Sequence, residues 1–251
     1  MTDGKKLKQP YRFLLPLFVW LIVWQAAAML VNKPLLMPAP LEVLISLKDL
    51  VVTSIFWKTS GMTLLRIFTG ALTGCAIGCL LAVLTVFSSV ADAVLSPVIR
   101  MVRATPVASF IILLLLWFAK SGVPAVISSL VVIPVVWENA AAGIAGTDPL
   151  LLEMGKAYGF TKGKVWRYIY LPHLRPYLMS GICSAVGLAW KSGVAAEVLC
   201  APKLAIGTQI YNSKLYLETP ELFAWTIVVI ILSMIFEKLV KTLIKTPAGD
   251  P

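Results

Sequence analysis

The chain has 251 residues, a mean hydropathy of +0.88 and only 14% charged residues, which is too much apolar surface for a water-soluble fold of this size. Its 22 Lys and Arg against 12 Asp and Glu leave a net charge of +10, which in a soluble protein points to nucleic acid or an acidic partner but in a bilayer protein acts through where the charges fall. The composition therefore predicts an all-α polytopic membrane protein, with the lipid bilayer as its solvent and no nucleic-acid partner.

The first predicted span is Phe13 to Val31, with a single polar member, Gln25; at about 1.5 Å per residue it crosses the hydrocarbon core. Lys5, Lys6 and Lys8 before it and Ala26 to Ala28 near its end would also suit a cleaved signal peptide, but the apolar run continues past those alanines and further spans follow. Ile67 to Val86 contains no charge. Its Gly70, Gly74 and Gly78 form a small-xxx-small ladder that lets another helix approach closely. Pro106 to Ala119 and Val123 to Trp137 are shorter and are separated by "KSGVP", predicting spans three and four as a hairpin. The fifth span runs from about Leu178 to Leu199 and holds Lys191 and Glu197. The sixth starts near Leu222 and ends in Lys238, Lys241 and Lys245, whose i, i+3, i+7 spacing puts them on one face, able to snorkel to headgroups.

Six spans place both termini on one side. A cytoplasmic N-terminus puts Lys5, Lys6, Lys8, Arg12, Arg100, Arg103, Lys156, Lys162, Lys164, Arg167, Arg175, Lys238, Lys241 and Lys245 inside. The other side then receives only Lys33, Lys48, Lys58, Lys120, Lys203 and Lys214. The excess of inside cations selects this orientation. The expected organisation is a cytoplasmic tail over 1–12, one transmembrane domain over 13–245 with a cytoplasmic loop at 147–173, and a second tail over 246–251.

That loop contains the basic stretch "EMGKAYGFTKGKVWRYIYLP". Asp148 before Pro149 is a capped helix start, and Leu151, Met154 and Tyr158 recur on one face. Gly159 is placed to end that helix in a left-handed conformation, and Thr161 can cap a second short helix ending before Pro172. The product is a glycine elbow exposing Ala157, Tyr158 and Phe160. It suits either docking to a soluble protein or an interfacial helix pair on lipid.

The spacing of Glu153, Gly159, Ile169, Leu171 and Pro172 resembles the "EAA" loop of ABC importer permeases, departing from it at Met154 and Gly155, where two alanines are preferred. "PAPLEV", "TLLRIFTG", "LSPVIRMVRATPVAS" and "GLAWKSGVAAEVL" are similar to the nitrate, sulfonate and taurine branch of these permeases. The resemblance implies a type I importer permease of about six helices in a bacterial inner membrane, whose loop between helices four and five carries a coupling helix. Glu153, Ala157, Tyr158, Gly159, Phe160, Leu171 and Pro172 would then form the docking site for a cytoplasmic ABC ATPase. It also implies a second, identical permease subunit, an extracytoplasmic solute-binding protein, and MgATP held by the ATPase rather than by any cofactor site on this chain.

Other chemistry is weakly represented. "GFTKGKV" lacks the spacing and the hydroxyl of a phosphate loop. His173 is the only histidine and is expected to be a satisfied loop residue; Cys75, Cys79, Cys183 and Cys200 have no CxxC spacing and behave as small hydrophobes. An ion-coupled carrier or channel using Lys191 and Glu197 at the midplane is the alternative to an importer. These two charges lie about 120° apart around a helix, so each needs another partner. Glu197 is placed to meet Arg66, whereas Lys191 is placed either to line an anion's route or to pin helices together.

Overall fold

The computed structural model describes the backbone of residues 11–244 and the side chains of residues 15–243. Lys5, Lys6 and Lys8, the Arg12 side chain, Lys245 and the tail at 246–251 lie outside the described residues. Among those described, every regular element is helical. In chain order they are α1 (Tyr11–Val31), α2 (Pro40–Val52), α3 (Ser54–Phe87), α4 (Ser89–Ala104), α5 (Val107–Leu114), α6 (Val123–Ala145), α7 (Pro149–Ala157), α8 (Lys162–Val165), a π turn (Trp166–Tyr170), α9 (Leu171–Cys200), α10 (Ile206–Leu215) and α11 (Thr219–Ile244).

Among the described residues, four helical stretches are long and apolar enough to cross a bilayer: Ser54–Phe87, Val123–Ala145, Lys162–Cys200 and Thr219–Leu243. A fifth candidate is bent. Ser89–Ala104 and Val107–Leu114 qualify only together, across a 102° bend, and Leu15–Val31 is a shorter apolar helix. The bend has a local cause: Thr105 precedes Pro106 and is extended at φ −80° and ψ 135°, the region to which a pre-proline residue is confined. The predicted third span starts at Pro106, with Arg100 and Arg103 before it on the cytoplasmic side. In the structure both ride on α4, whose start is capped by Ser88 accepting from the Ala91 N–H at 3.2 Å.

A second difference lies at the loop's end. The helix after Thr161 does not stop before Pro172 but continues through the π turn into α9. The Leu171 N–H reaches back to the Trp166 carbonyl, and this widened turn precedes Pro172, whose ring has no N–H and would crowd the carbonyl four residues earlier.

The chain divides into two compact units, Met1–Trp57 with Gln209–Val228 and Lys58–Thr208 with Val229–Pro251. In the first, Trp24 donates its indole N–H to the Pro38 carbonyl at 3.1 Å and stacks on Phe223 at 5.8 Å, while Phe56 stacks on the buried Trp225 at 5.4 Å. In the second, α6 packs against α9. Its core joins Ile67, Val132, Val136, Ala185, Ala189, Trp190 and Phe236. Lipid is as apolar as these side chains, so what draws helices together here is close packing. The glycine ladder provides it: a Cβ at Gly70, Gly74 or Gly78 would sit 2.2, 2.7 or 2.9 Å from the carbonyl oxygens of Ala125, Ser129 and Ile133. Both sets recur every four residues, so α3 lies backbone to backbone along α6.

Candidate functional site

The basic loop folds as a helix, an elbow and a second helix. Asp148 accepts from the Leu150 N–H at 2.8 Å and opens α7. At its end the Gly159 N–H bonds the Lys156 carbonyl at 3.0 Å and the Phe160 N–H bonds the Gly155 carbonyl at 2.8 Å. With Gly159 at φ +68°, this is a Schellman stop. Phe160 folds back toward Gly155, and a Cβ on Gly155 would lie 3.0 Å from the Ile169 Cδ1 methyl. Met154 is exposed, while Gly155 is buried because the chain returns over it.

Of the expected docking residues, Glu153, Ala157, Gly159, Leu171 and Pro172 are exposed, Tyr158 is 75% exposed and Phe160 is half-buried. Beneath them Phe87 of α3 meets Trp166 at 6.1 Å and Tyr170 at 5.6 Å. This aromatic footing was missed in the sequence, although Trp166 and Tyr170 stand one helical turn apart. His173, expected to be satisfied, lies 5.6 Å from the Tyr177 ring, and its buried Nε2 has no hydrogen-bond partner among the described residues.

At the other end of α9 is a polar knot. Glu197 is fully buried and accepts from Thr63 Oγ1 at 2.8 Å, Arg66 Nη1 at 3.3 Å and the Gly207 N–H at 3.3 Å. Arg66 also donates to the carbonyls of Leu204 and Lys203, each at 2.9 Å, and Thr63 Oγ1 accepts from the Ile206 N–H at 3.0 Å. Two left-handed residues, Ala201 at φ 46° and Leu204 at φ 51°, turn the 201–205 segment so that these groups converge. Removing a charged pair from water is costly, and saturating both partners with hydrogen bonds offsets that cost. Lys191 stands apart from this knot. It is exposed on α9 and joins no ion pair among the described residues.

A second Arg–Glu pair has the opposite character. Arg103, just before the α4–α5 bend, donates to Glu138 of α6 with side chains 58% and 54% exposed. An open pair of this kind contributes only about 0–1 kcal/mol. Two cavities of about 240 and 310 Å³ adjoin it, and Arg103 and Pro134 line both. The free cysteines carry no chemistry of this kind: Cys75 and Cys79 pack against the α6–α9 core. Among the described residues no cluster of His, Cys, Asp and Glu is arranged to hold a metal.

The profile of the family described as "Binding-protein-dependent transport system inner membrane component" matches residues 74–245. The taurine transport system permease protein TauC of Escherichia coli (strain K12) is 22% identical over 227 residues, covering 88% of this chain and 81% of that protein. The putative aliphatic sulfonates transport permease protein SsuC of Bacillus subtilis (strain 168) is 25% identical over 232 residues, covering 92% and 83%. The nitrate import permease protein NrtB of Synechococcus elongatus is 26% identical over 215 residues, covering 80% and 75%. Among solved structures, a chain of an amino acid ABC transporter crystallised with histidines superposes with a TM-score of 0.61 at 19% identity, covering 73% of this chain and 90% of that one. A chain of the MetNI methionine ABC transporter follows at 0.56 and 16%. The last two show a shared fold, whereas the profile match, which takes in the span-and-loop arrangement from the glycine ladder to the end of α11, shows descent. This chain belongs to the family of binding-protein-dependent transport system inner membrane components, as an ABC importer permease of the nitrate, sulfonate and taurine type.

Proposed function

We propose that this multi-pass chain lines the translocation path of an ATP-driven importer for a small anionic solute, and that α7, the Gly159 elbow and α8 seat on a cytoplasmic ABC ATPase. The observation that carries the docking assignment is the Schellman stop itself. It fixes Tyr158 outward on a basic segment whose second helix is continuous with a span. ATP binding and hydrolysis belong to that ATPase, with MgATP as its ligand, and this chain serves as the transport subunit without a nucleotide site. A second, identical permease completes the path, an extracytoplasmic binding protein delivers the solute, and both termini face the cytoplasm of a bacterial cell. The anionic class draws on the taurine, sulfonate and nitrate specificities named for the relatives and on the exposed Lys191. The family and the relatives lend the ion-coupled carrier no support.

In this mechanism the ATPases close on ATP, the seated elbows move with them, and α8 transmits the displacement through the π turn to α9. The test is Gly159→Val. No atom lies within 4 Å of the Cβ position, so the penalty is confined to the backbone, about 1–2 kcal/mol for a left-handed residue with a side chain. Membrane insertion should persist while ATPase co-purification and solute-stimulated hydrolysis fall. A variant that retains its ATPase and its stimulation as wild type does would overturn the docking assignment.

A further inference from the structure

We propose that the α4–α5 bend holds a binding site for small organic anions, with the Arg103 guanidinium as the anion's ligand and the adjoining cavity as the receptacle for its apolar body. This site rests on the importer reading and gives it a cargo-contacting residue. Among the described residues, Arg66 and Arg103 each form an ion pair with a glutamate. Arg66 commits three of its five N–H donors to Glu197 and to two carbonyls, and its side chain is only 10% exposed beside a fully buried Glu197, so little of that pair can meet a solute. Arg103 touches only Glu138 among the contacts described, and both side chains remain more than half exposed. Such a pair is easily exchanged: an incoming sulfonate or carboxylate can take the place of Glu138 at little net cost, because one charge-assisted contact replaces another.

The surroundings define the rest of the ligand. The cavity of about 240 Å³ that Arg103 lines is otherwise walled mainly by apolar side chains, among them Val107, Phe110, Val131 and Leu188. Thr105 adds one hydroxyl, whose proton is already donated to the Met101 carbonyl at 2.8 Å. An apolar chamber with one cation at its edge suits a short alkyl or aryl chain ending in an anionic head, and it discriminates against a neutral head of equal size. Broken spans are where membrane transporters place polar ligand contacts, since the interrupted backbone is tolerated beside a cavity. Lys191 lies three residues beyond Leu188 on the same side of α9, which sets a second cation one turn along from the chamber wall.

The test uses the full chain, purified in detergent with the ATPase that accompanies it, and calorimetric titration with butane-1-sulfonate and with the neutral butane-1-sulfonamide. Wild type should bind the sulfonate saturably and the sulfonamide about tenfold or more weakly. Arg103→Gln should weaken sulfonate binding by about tenfold or more, the range for losing one hydrogen bond to a charged group. Glu138→Gln, which removes the competing carboxylate, should bind at least as tightly as wild type. Should Arg103→Gln fail to accumulate, Arg103→Lys and Glu138→Gln carry the test: retained sulfonate preference in both supports the site. Equal sulfonate affinity in Arg103→Gln and wild type, equal affinity for sulfonate and sulfonamide, weaker binding in Glu138→Gln, or no saturable binding in wild type would each overturn it. Failure of wild type to hold any ATPase would count against the importer reading, while the titration still decides the site.

Discussion

Glu197 shows how much a single intramembrane charge reveals before any coordinates are known. A carboxylate in an apolar helix requires a partner, and Arg66 was the one cation placed to supply it; the 3.3 Å contact joins them. The Gly207 N–H and the carbonyls of Lys203 and Leu204 were not legible, because backbone donors and acceptors leave no trace in residue identity, and the Thr63 hydroxyl is one of many in the chain with nothing in its spacing to tie it to Glu197. Glu197→Ala should therefore do more than remove a charge. It strands Arg66 and frees Thr63 and Gly207, and breaking a buried pair costs about 3–5 kcal/mol. The expected result is a clear fall in the thermal midpoint of the purified protein, read by loss of monodisperse material on heating; an unchanged midpoint would remove the knot from the stabilising interactions. Lys191→Met should separate from it by leaving the midpoint near wild type while lowering maximal uptake in reconstituted vesicles. Uptake equal to wild type in an assembled, ATP-hydrolysing complex would deny Lys191 a place on the route.

At the scale of elements, the helices whose period or apolarity is unbroken were readable and the interrupted ones were not. The uncharged parts of α3 and α6, Ile67–Val86 and Val123–Trp137, were evident, although the helices extend to Ser54–Phe87 and Val123–Ala145 through Lys58, Arg66 and Glu138, and the ladder on α3 announced a close neighbour. α4 was hidden because Pro97, Arg100 and Arg103 make it look like a loop, although Ser96 and Ile99, three apart, are the buried pair of its inner face. The second loop helix was cut short in the sequence reading because Pro172 ordinarily ends a helix, and a π turn carries no residue signature of its own. The ladder gives a graded prediction. Gly74→Val puts a branched side chain where even a Cβ would sit 2.7 Å from a backbone oxygen, so α3 must lift from α6 and folding yield in membranes should collapse. Gly61→Ala, on the same helix with open space around it, should instead gain up to about 1 kcal/mol of helix propensity. Comparable yields for the two variants would show that α3 and α6 do not need backbone contact.

For the whole molecule, hydropathy predicted a polytopic membrane protein and charge placement predicted its orientation. What hydropathy could not supply was the 102° bend that combines two sub-threshold helices into one candidate span, since a window average does not register direction. The orientation remains open to direct measurement. In a background lacking Cys75, Cys79, Cys183 and Cys200, single cysteines at Tyr158 and Lys203 should react with an impermeant maleimide from opposite faces, Lys203 in intact cells and Tyr158 only after permeabilisation. Labelling of both sites in intact cells would refute the topology, and labelling of Tyr158 alone would reverse it.

The π turn also sets a rule for recombination. Its extra residue shifts the angular phase of everything after it by about 100° relative to a continuous α-helix, so α9 presents Leu174 to Gly143 and Gly181 to Asn139 only while that residue is present. A chimera that takes its ATPase-facing segment from a permease with an uninterrupted helix and its spans from this chain would inherit the wrong phase, however well the two halves match in sequence. The safe junction lies before Trp166, so that the turn stays together with α9.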